Sequence, residues 1–159
     1  YGNILWYLNG KKIIKMVDNG NFIHQDPNLW EINRKGEIIF SSNQNNSEAS
    51  QLHFHHSVDK TKHNTYFGIV DYYQYYDCPE ECPQSTLLLF PDGVLWRGDK
   101  IVELNTNGDI IWEWDLFEEI GINNYNTWYA SHCGPGHDYI LDWTHTNEVN
   151  YDESSNFKK

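Results

Sequence analysis

The chain has 159 residues, enough for one ordinary domain with a core of its own. Twenty-three Asp and Glu against eleven Lys and Arg give a formal charge of -12. With no basic cluster beyond the pairs Lys11-Lys12 and Lys158-Lys159, that charge excludes a phosphate-backbone footprint and hence a nucleic-acid partner. The longest apolar run, Leu87-Leu88-Leu89-Phe90, is far too short to span a bilayer.

Seven Trp and eleven Tyr favour strands, and the many Asn and Gly favour turns, so the composition reads as mostly β. The chain opens at Tyr1 without an initiator Met or a signal-like charged region, which suits a processed or partial polypeptide. Strands are expected near 4–8 and 12–17. A hairpin follows at 29–34 and 37–41, where Trp30-Glu31-Ile32-Asn33-Arg34-Lys35-Gly36-Glu37-Ile38-Ile39-Phe40 alternates, turns through a Gly and runs on in Ile. Asn45-Asn46-Ser47 fits the N-glycosylation acceptor pattern.

The next strand, at 52–59, carries Leu52-His53-Phe54-His55-His56-Ser57-Val58-Asp59. Period-two alternation sets His53 and His55 on one face and His56 on the other. Imidazole ligates zinc and copper, but no Cys or carboxylate stands at an obvious completing position, so no metal is expected. A strand at 65–73 runs into Tyr72-Tyr73-Gln74-Tyr75-Tyr76, read as packing aromatics that can also stack a phenolic ring. The loop 74–86 holds Cys78-Pro79-Glu80-Glu81-Cys82-Pro83. A Cys78–Cys82 disulfide comes first and a zinc site second, with Cys133 either free or the partner of one of them. The disulfide and the glycosylation pattern point to a secreted, periplasmic or extracellular setting.

Strands near 94–97, 100–105 and 109–115 repeat the earlier hairpin. Val102-Glu103-Leu104-Asn105-Thr106-Asn107-Gly108-Asp109-Ile110-Ile111-Trp112 aligns with Trp30 to Phe40, Gly on Gly. Arg97 reads as a solvated strand-end residue. A short helical turn is expected at Asp115-Leu116-Phe117-Glu118-Glu119-Ile120, and a long loop at 121–138, in which His132-Cys133-Gly134-Pro135-Gly136-His137 reads as a turn; His24 and His63 read as loop or solvated residues. The last strand, 145–151, lies in Asp142-Trp143-Thr144-His145-Thr146-Asn147-Glu148-Val149-Asn150-Tyr151-Asp152. Alternation there puts His145, Asn147 and Val149 on one face, an imidazole and a carboxamide suited to a small oxyanion. Aligning Val58 with Val149 sets His56 opposite Asn147 and Phe54 opposite His145.

Ten short strands with a repeat longer than one hairpin fit four-stranded antiparallel blades around an axis. The fold class is therefore all-β, a partial β-propeller, with blades at about 1–42 and 52–116 and the start of a third at about 142–159. A closed propeller takes roughly four to eight blades, so the remaining blades are expected from the same or another chain, including further copies of this one.

These residues resemble the arylsulfotransferase family, which moves a sulfuryl group between phenols without a nucleotide donor. Asp142-Trp143-Thr144-His145-Thr146-Asn147 looks like its DW-x-H-x-N strand, His55-His56-Ser57-Val58-Asp59 like its HHDI-type strand, and Val102 to Trp114 like its hairpin ending in W-E-W. The resemblance implies a six-bladed propeller with the active site on its axis, a transiently sulfated histidine and no cofactor. It assigns His145 and one of His56 and His55 to the catalytic set, His56 first, with Asn147 and Trp143 beside His145 on the substrate. The implied substrates are an aryl sulfate and a phenolic acceptor. Ser57 stands where the family has an acid, and the family's Arg and acceptor histidine fall past Lys159 in register. A non-catalytic propeller module for extracellular assembly or ligand binding is the second reading.

Overall fold

The computed structural model describes residues 13–44, 47–77, 93–122 and 140–150. Two compact units divide the chain: one comprises Tyr1–Val70, Ile101–Glu113 and Asn147–Lys159, the other Asp71–Lys100 and Trp114–Thr146. The architecture is all-β with one short helix, built on two four-stranded antiparallel sheets that correspond to partial propeller blades. Among the described residues no helix is long and apolar enough to cross a membrane.

The first sheet is a meander of β1 (Ile13–Met16), β2 (Phe22–Gln25), β3 (Leu29–Ile32) and β4 (Ile38–Ser41). The second is ordered β5 (Phe54–Lys60), β6 (Tyr66–Tyr76), β7 (Val94–Leu104) and β8 (Ile110–Asp115). Asp115 closes β8 and caps helix α1 (Leu116–Ile120), its carboxylate accepting from the Phe117 N–H at 2.9 Å. β9 (Ile140–Asp142) pairs parallel to β7 and sets Asp142 beside Arg97.

The repeated hairpin is reproduced bond for bond. Asn33 Oδ1 accepts from the N–H groups of Lys35 and Glu37 at 2.8 and 3.0 Å, and Asn105 Oδ1 accepts from Asn107 and Asp109 at the same two distances. Each Asn amide also donates to the acid just before the following strand, Glu37 or Asp109. Each glycine takes a positive φ, 80° at Gly36 and 86° at Gly108, the region that L side chains resist. Gly108 is further constrained, because a Cβ there would stand 2.8 Å from the Ser47 side chain.

In the first unit Val17, Ile23, Leu29, Phe40, Phe54, Val58, Tyr66, Val70, Val102 and Leu104 form one buried cluster, with Phe40 and Tyr66 stacked at 3.8 Å. Glu31 is fully buried among them and hydrogen-bonded by Asn19, Asn21, Lys60 and the Tyr66 hydroxyl, at 2.6–3.0 Å. In the second unit Trp96 and Phe117 form the core, with Tyr72, Tyr76, Ile122 and Trp143 against them.

Several local expectations change. The strands expected at 94–97 and 100–105 are one continuous strand, β7. β2 falls between the strands expected at 12–17 and 29–34, where Phe22-Ile23-His24-Gln25 pairs with β3. His24, expected in a loop or in solvent, is buried on that strand and stacks on Trp30 at 5.8 Å. The strand expected over 145–151 is absent from the described part, since residues 143–150 have no ladder partner. Hydrogen bonds from side chains replace the ladder there. The segment 4–8, Cys78, Cys82, Cys133, Asn45, Asn46, His132 and His137 lie outside the described residues.

Candidate functional site

The histidine strand departs from simple alternation. His55 pairs with Ile69 and Val58 with Gly68, so His56 and Ser57 bulge out of register between them. His56 takes the left-handed conformation, φ 55°, which a β-carbon makes costly. Gly68 faces the bulge because no side chain fits: a Cβ would lie 2.8 Å from Val58 and 2.9 Å from Phe54. The result splits the two histidines. His55 is buried, His56 is exposed, and their rings meet edge to face with centroids 5.0 Å apart. The Ser57 hydroxyl donates to the Val149 carbonyl at 3.2 Å, tethering the segment that begins at Asn147 to β5.

In the second unit, parallel pairing and a Trp143 N–H···O=C Arg97 bond of 2.9 Å set the end of β9 against β7. Beyond Asp142, Thr144 and Thr146 are partly buried and His145 between them is exposed. The Thr144 hydroxyl accepts from the Asp99 N–H at 2.9 Å, and the Thr146 N–H donates to Asp99 Oδ2 at 2.7 Å. Asp99, at 1% exposure, is the anchor for both. His145 stands between the two threonines with half its side chain in solvent, and its Nδ1 lies 3.1 Å from Asp142 Oδ2. Trp143 lays its ring against Phe117 at 4.8 Å, so it also secures this segment to the core of its unit.

Arg97 is not the solvated strand-end residue expected. It sits within β7, partly buried, and donates from Nε and Nη2 to Asp71 Oδ1 at 2.8 and 2.6 Å. Its Nη1 is 3.8 Å from Asp142 Oδ2. Burial works against the charged guanidinium, but the Asp71 hydrogen bonds and the charges of Asp71 and Asp142 outweigh it, raising its pKa. Nothing local in the sequence marks this arrangement, because the partners come from three strands far apart in the chain. The one legible signal is the three-residue spacing of Asp142 and His145.

The structure therefore brings together His55 with His56, and Asp142 with His145 and Arg97. Asn147 is exposed in the first unit and His145 in the second. Of the tyrosine run, Tyr72 and Tyr76 pack on Phe117, while Tyr73 and Tyr75 are exposed. Elsewhere in the first unit, a cleft of about 500 Å³ is bordered by Lys15, Asn19, Asp59 and Lys60. Asp18 and Lys62 also line it, and two of its three lysines are ion-paired, Lys15 with Asp59 and Lys60 with Glu31, each at 2.6 Å.

His56 in the first unit and His145 in the second are each exposed, and an exposed imidazole can donate, accept or attack near neutral pH. No curated protein and no solved structure matches the chain. The family model of the arylsulfotransferases (ASST) matches residues 1–157, which contain the histidine bulge and the whole Asp142-to-Asn147 element, and the chain belongs to that family.

Proposed function

We propose that the complete protein is an aryl-sulfate sulfotransferase, moving a sulfuryl group from an aryl sulfate to a phenolic acceptor through a sulfo-histidine intermediate. The observation that carries the reading is His145: it stands exposed, on a braced segment, in the DW-x-H-x-N element of a chain matched to the family over residues 1–157. In the first half-reaction a histidine nitrogen attacks sulfur, the aryl O–S bond breaks, and the phenolate leaves and takes a proton. In the second, the acceptor phenol loses its proton and its oxygen attacks the same sulfur, freeing the histidine. His145 and His56, with His55 behind it, serve as the catalytic imidazoles that spread charge from the sulfuryl oxygens and relay these protons. Asn147 donates from its carboxamide, and Trp143 supplies an aromatic wall for the aryl group.

The proposal includes a secreted, periplasmic or extracellular setting, a Cys78–Cys82 disulfide, and further blades supplied by the same chain or another, including copies in a homo-oligomer. Exposed Ile38 and Ile39 on β4 and Ile111 and Trp112 on β8 support a covering partner. They also favour the second reading, a non-catalytic propeller module for extracellular assembly or ligand binding.

Initial rates with a chromogenic aryl sulfate and a phenol separate the two. Acceptor-dependent phenolate release with parallel double-reciprocal plots is expected, as a covalent intermediate requires. His145→Ala is expected to cut kcat/KM by roughly 10²–10⁴. No acceptor-dependent release, or full activity in His145→Ala, rejects sulfuryl transfer at this site.

A further inference from the structure

Asp142 sits where three constraints meet. Parallel pairing fixes its backbone beside Arg97. The Arg97 guanidinium, itself held by Asp71, lies 3.8 Å from Asp142 Oδ2. The same oxygen is 3.1 Å from His145 Nδ1. A carboxylate facing a guanidinium has only lone pairs to offer, so the ring nitrogen it meets must carry the proton. In a neutral imidazole the other nitrogen then holds the lone pair. The backbone on either side of the ring is fixed independently, by the Thr144 and Thr146 bonds to buried Asp99. Carboxylate and threonine clamp act on different degrees of freedom: one sets the tautomer and ring angle, the other sets where the Cα stands.

We infer that Asp142 is a positioning residue which, braced by Arg97, holds neutral His145 as its Nδ1–H tautomer and presents the Nε2 lone pair as the proton acceptor for the phenolic oxygen. The use of Nε2 rests on the sulfuryl-transfer reading; the tautomer does not. Free neutral imidazole side chains favour the opposite form, with the proton on Nε2, so the carboxylate has work to do.

Long-range ¹H–¹⁵N correlation spectra of the ¹⁵N-labelled chain, recorded above the imidazole titration and assigned by the signals lost in His145→Gln, read the tautomer directly. Wild type is expected to show His145 protonated at Nδ1. Asp142→Ala is expected to move the proton to Nε2, Asp142→Asn to do the same because its amide can donate to Nδ1, and Asp142→Glu to restore the original pattern. A wild-type ring protonated at Nε2, or a tautomer unchanged in both Asp142→Ala and Asp142→Asn, overturns the inference. If the Ala variant does not fold, the wild-type spectrum alone still decides, since a ring protonated at Nε2 overturns the inference. In the kinetic arm, Asp142→Asn is expected to lower kcat by about 10–100-fold with KM little changed, the usual cost of losing the group that orients a working histidine. A change confined to KM overturns the positioning role. Absence of turnover in wild type would defeat sulfuryl transfer, while the spectra would still decide what Asp142 does to His145.

Discussion

Glu31 shows what one side chain can demand of its surroundings. It has no exposure, and burial alone would raise its pKa, yet hydrogen bonds from Lys60, Tyr66, Asn19 and Asn21 bring it down from 4.5 to about 2. Tyr66 shows the converse: burial first, then its bond to the Glu31 carboxylate and that charge, push its pKa up. A carboxylate held below its unfolded value stabilises the fold fully above about pH 4.5 and loses that contribution as pH falls toward about 2. The displacement corresponds to roughly 3 kcal/mol. Urea unfolding at several pH values should show wild type losing stability over that window, with the slope much reduced in Glu31→Gln. The variant should also be less stable at neutral pH, because Lys60 keeps a nearly buried charge without its partner. Equal slopes in the two proteins would remove Glu31 from the account of acid sensitivity.

At the scale of the element, the β5 bulge is the feature that alternation could not announce. Leu52-His53-Phe54-His55-His56-Ser57-Val58 reads as an ordinary strand, and only Gly68, across the sheet, reveals that two residues must leave the ladder. If His56 holds its conformation for use rather than for stability, His56→Gly should be more stable than His56→Ala by about 1 kcal/mol. That is roughly 2–4 °C in Tm at this chain length, and the reverse of the order in a regular strand. Differential scanning calorimetry of the two variants checks it; the Ala form melting higher would show the left-handed residue carries no strain. The paired hairpins, by contrast, were legible, because everything that builds them lies within five residues: an Asn that bonds two N–H groups ahead, a Gly for positive φ, an acid to receive the Asn amide. The segment after Asp142 fell between these cases. Its alternation was visible and survives as Thr inward and His outward, but the ladder implied by alternation is replaced by two bonds to Asp99. The pairing of Arg97 with Asp71 is illegible for the same reason as the bulge, since sheet register chooses the partners.

For the whole molecule the dominant property is charge. At -12, the field of the chain opposes the approach of a sulfate ester, an anion, and added salt screens that repulsion, with a Debye length of about 8 Å at physiological ionic strength. On the proposed function, kcat/KM for an aryl sulfate should therefore rise as ionic strength goes from about 10 mM to about 150 mM. A fall over that range, measured by initial rates, would mean that local cations outweigh the net charge at the site. The twin Asn-Gly turns have a consequence of a different kind, in time rather than in energy. Each closes a loop of a few residues with its own bonds, so β3–β4 and β7–β8 can zip within microseconds of the chain's release from denaturant. β9 must find β7 across the 35 residues 105–139 that separate the two strands in sequence, and the cost of closing that span rises with its length. From sequence separation alone, the β7–β9 pairing that carries His145 is expected to form after these two local hairpins.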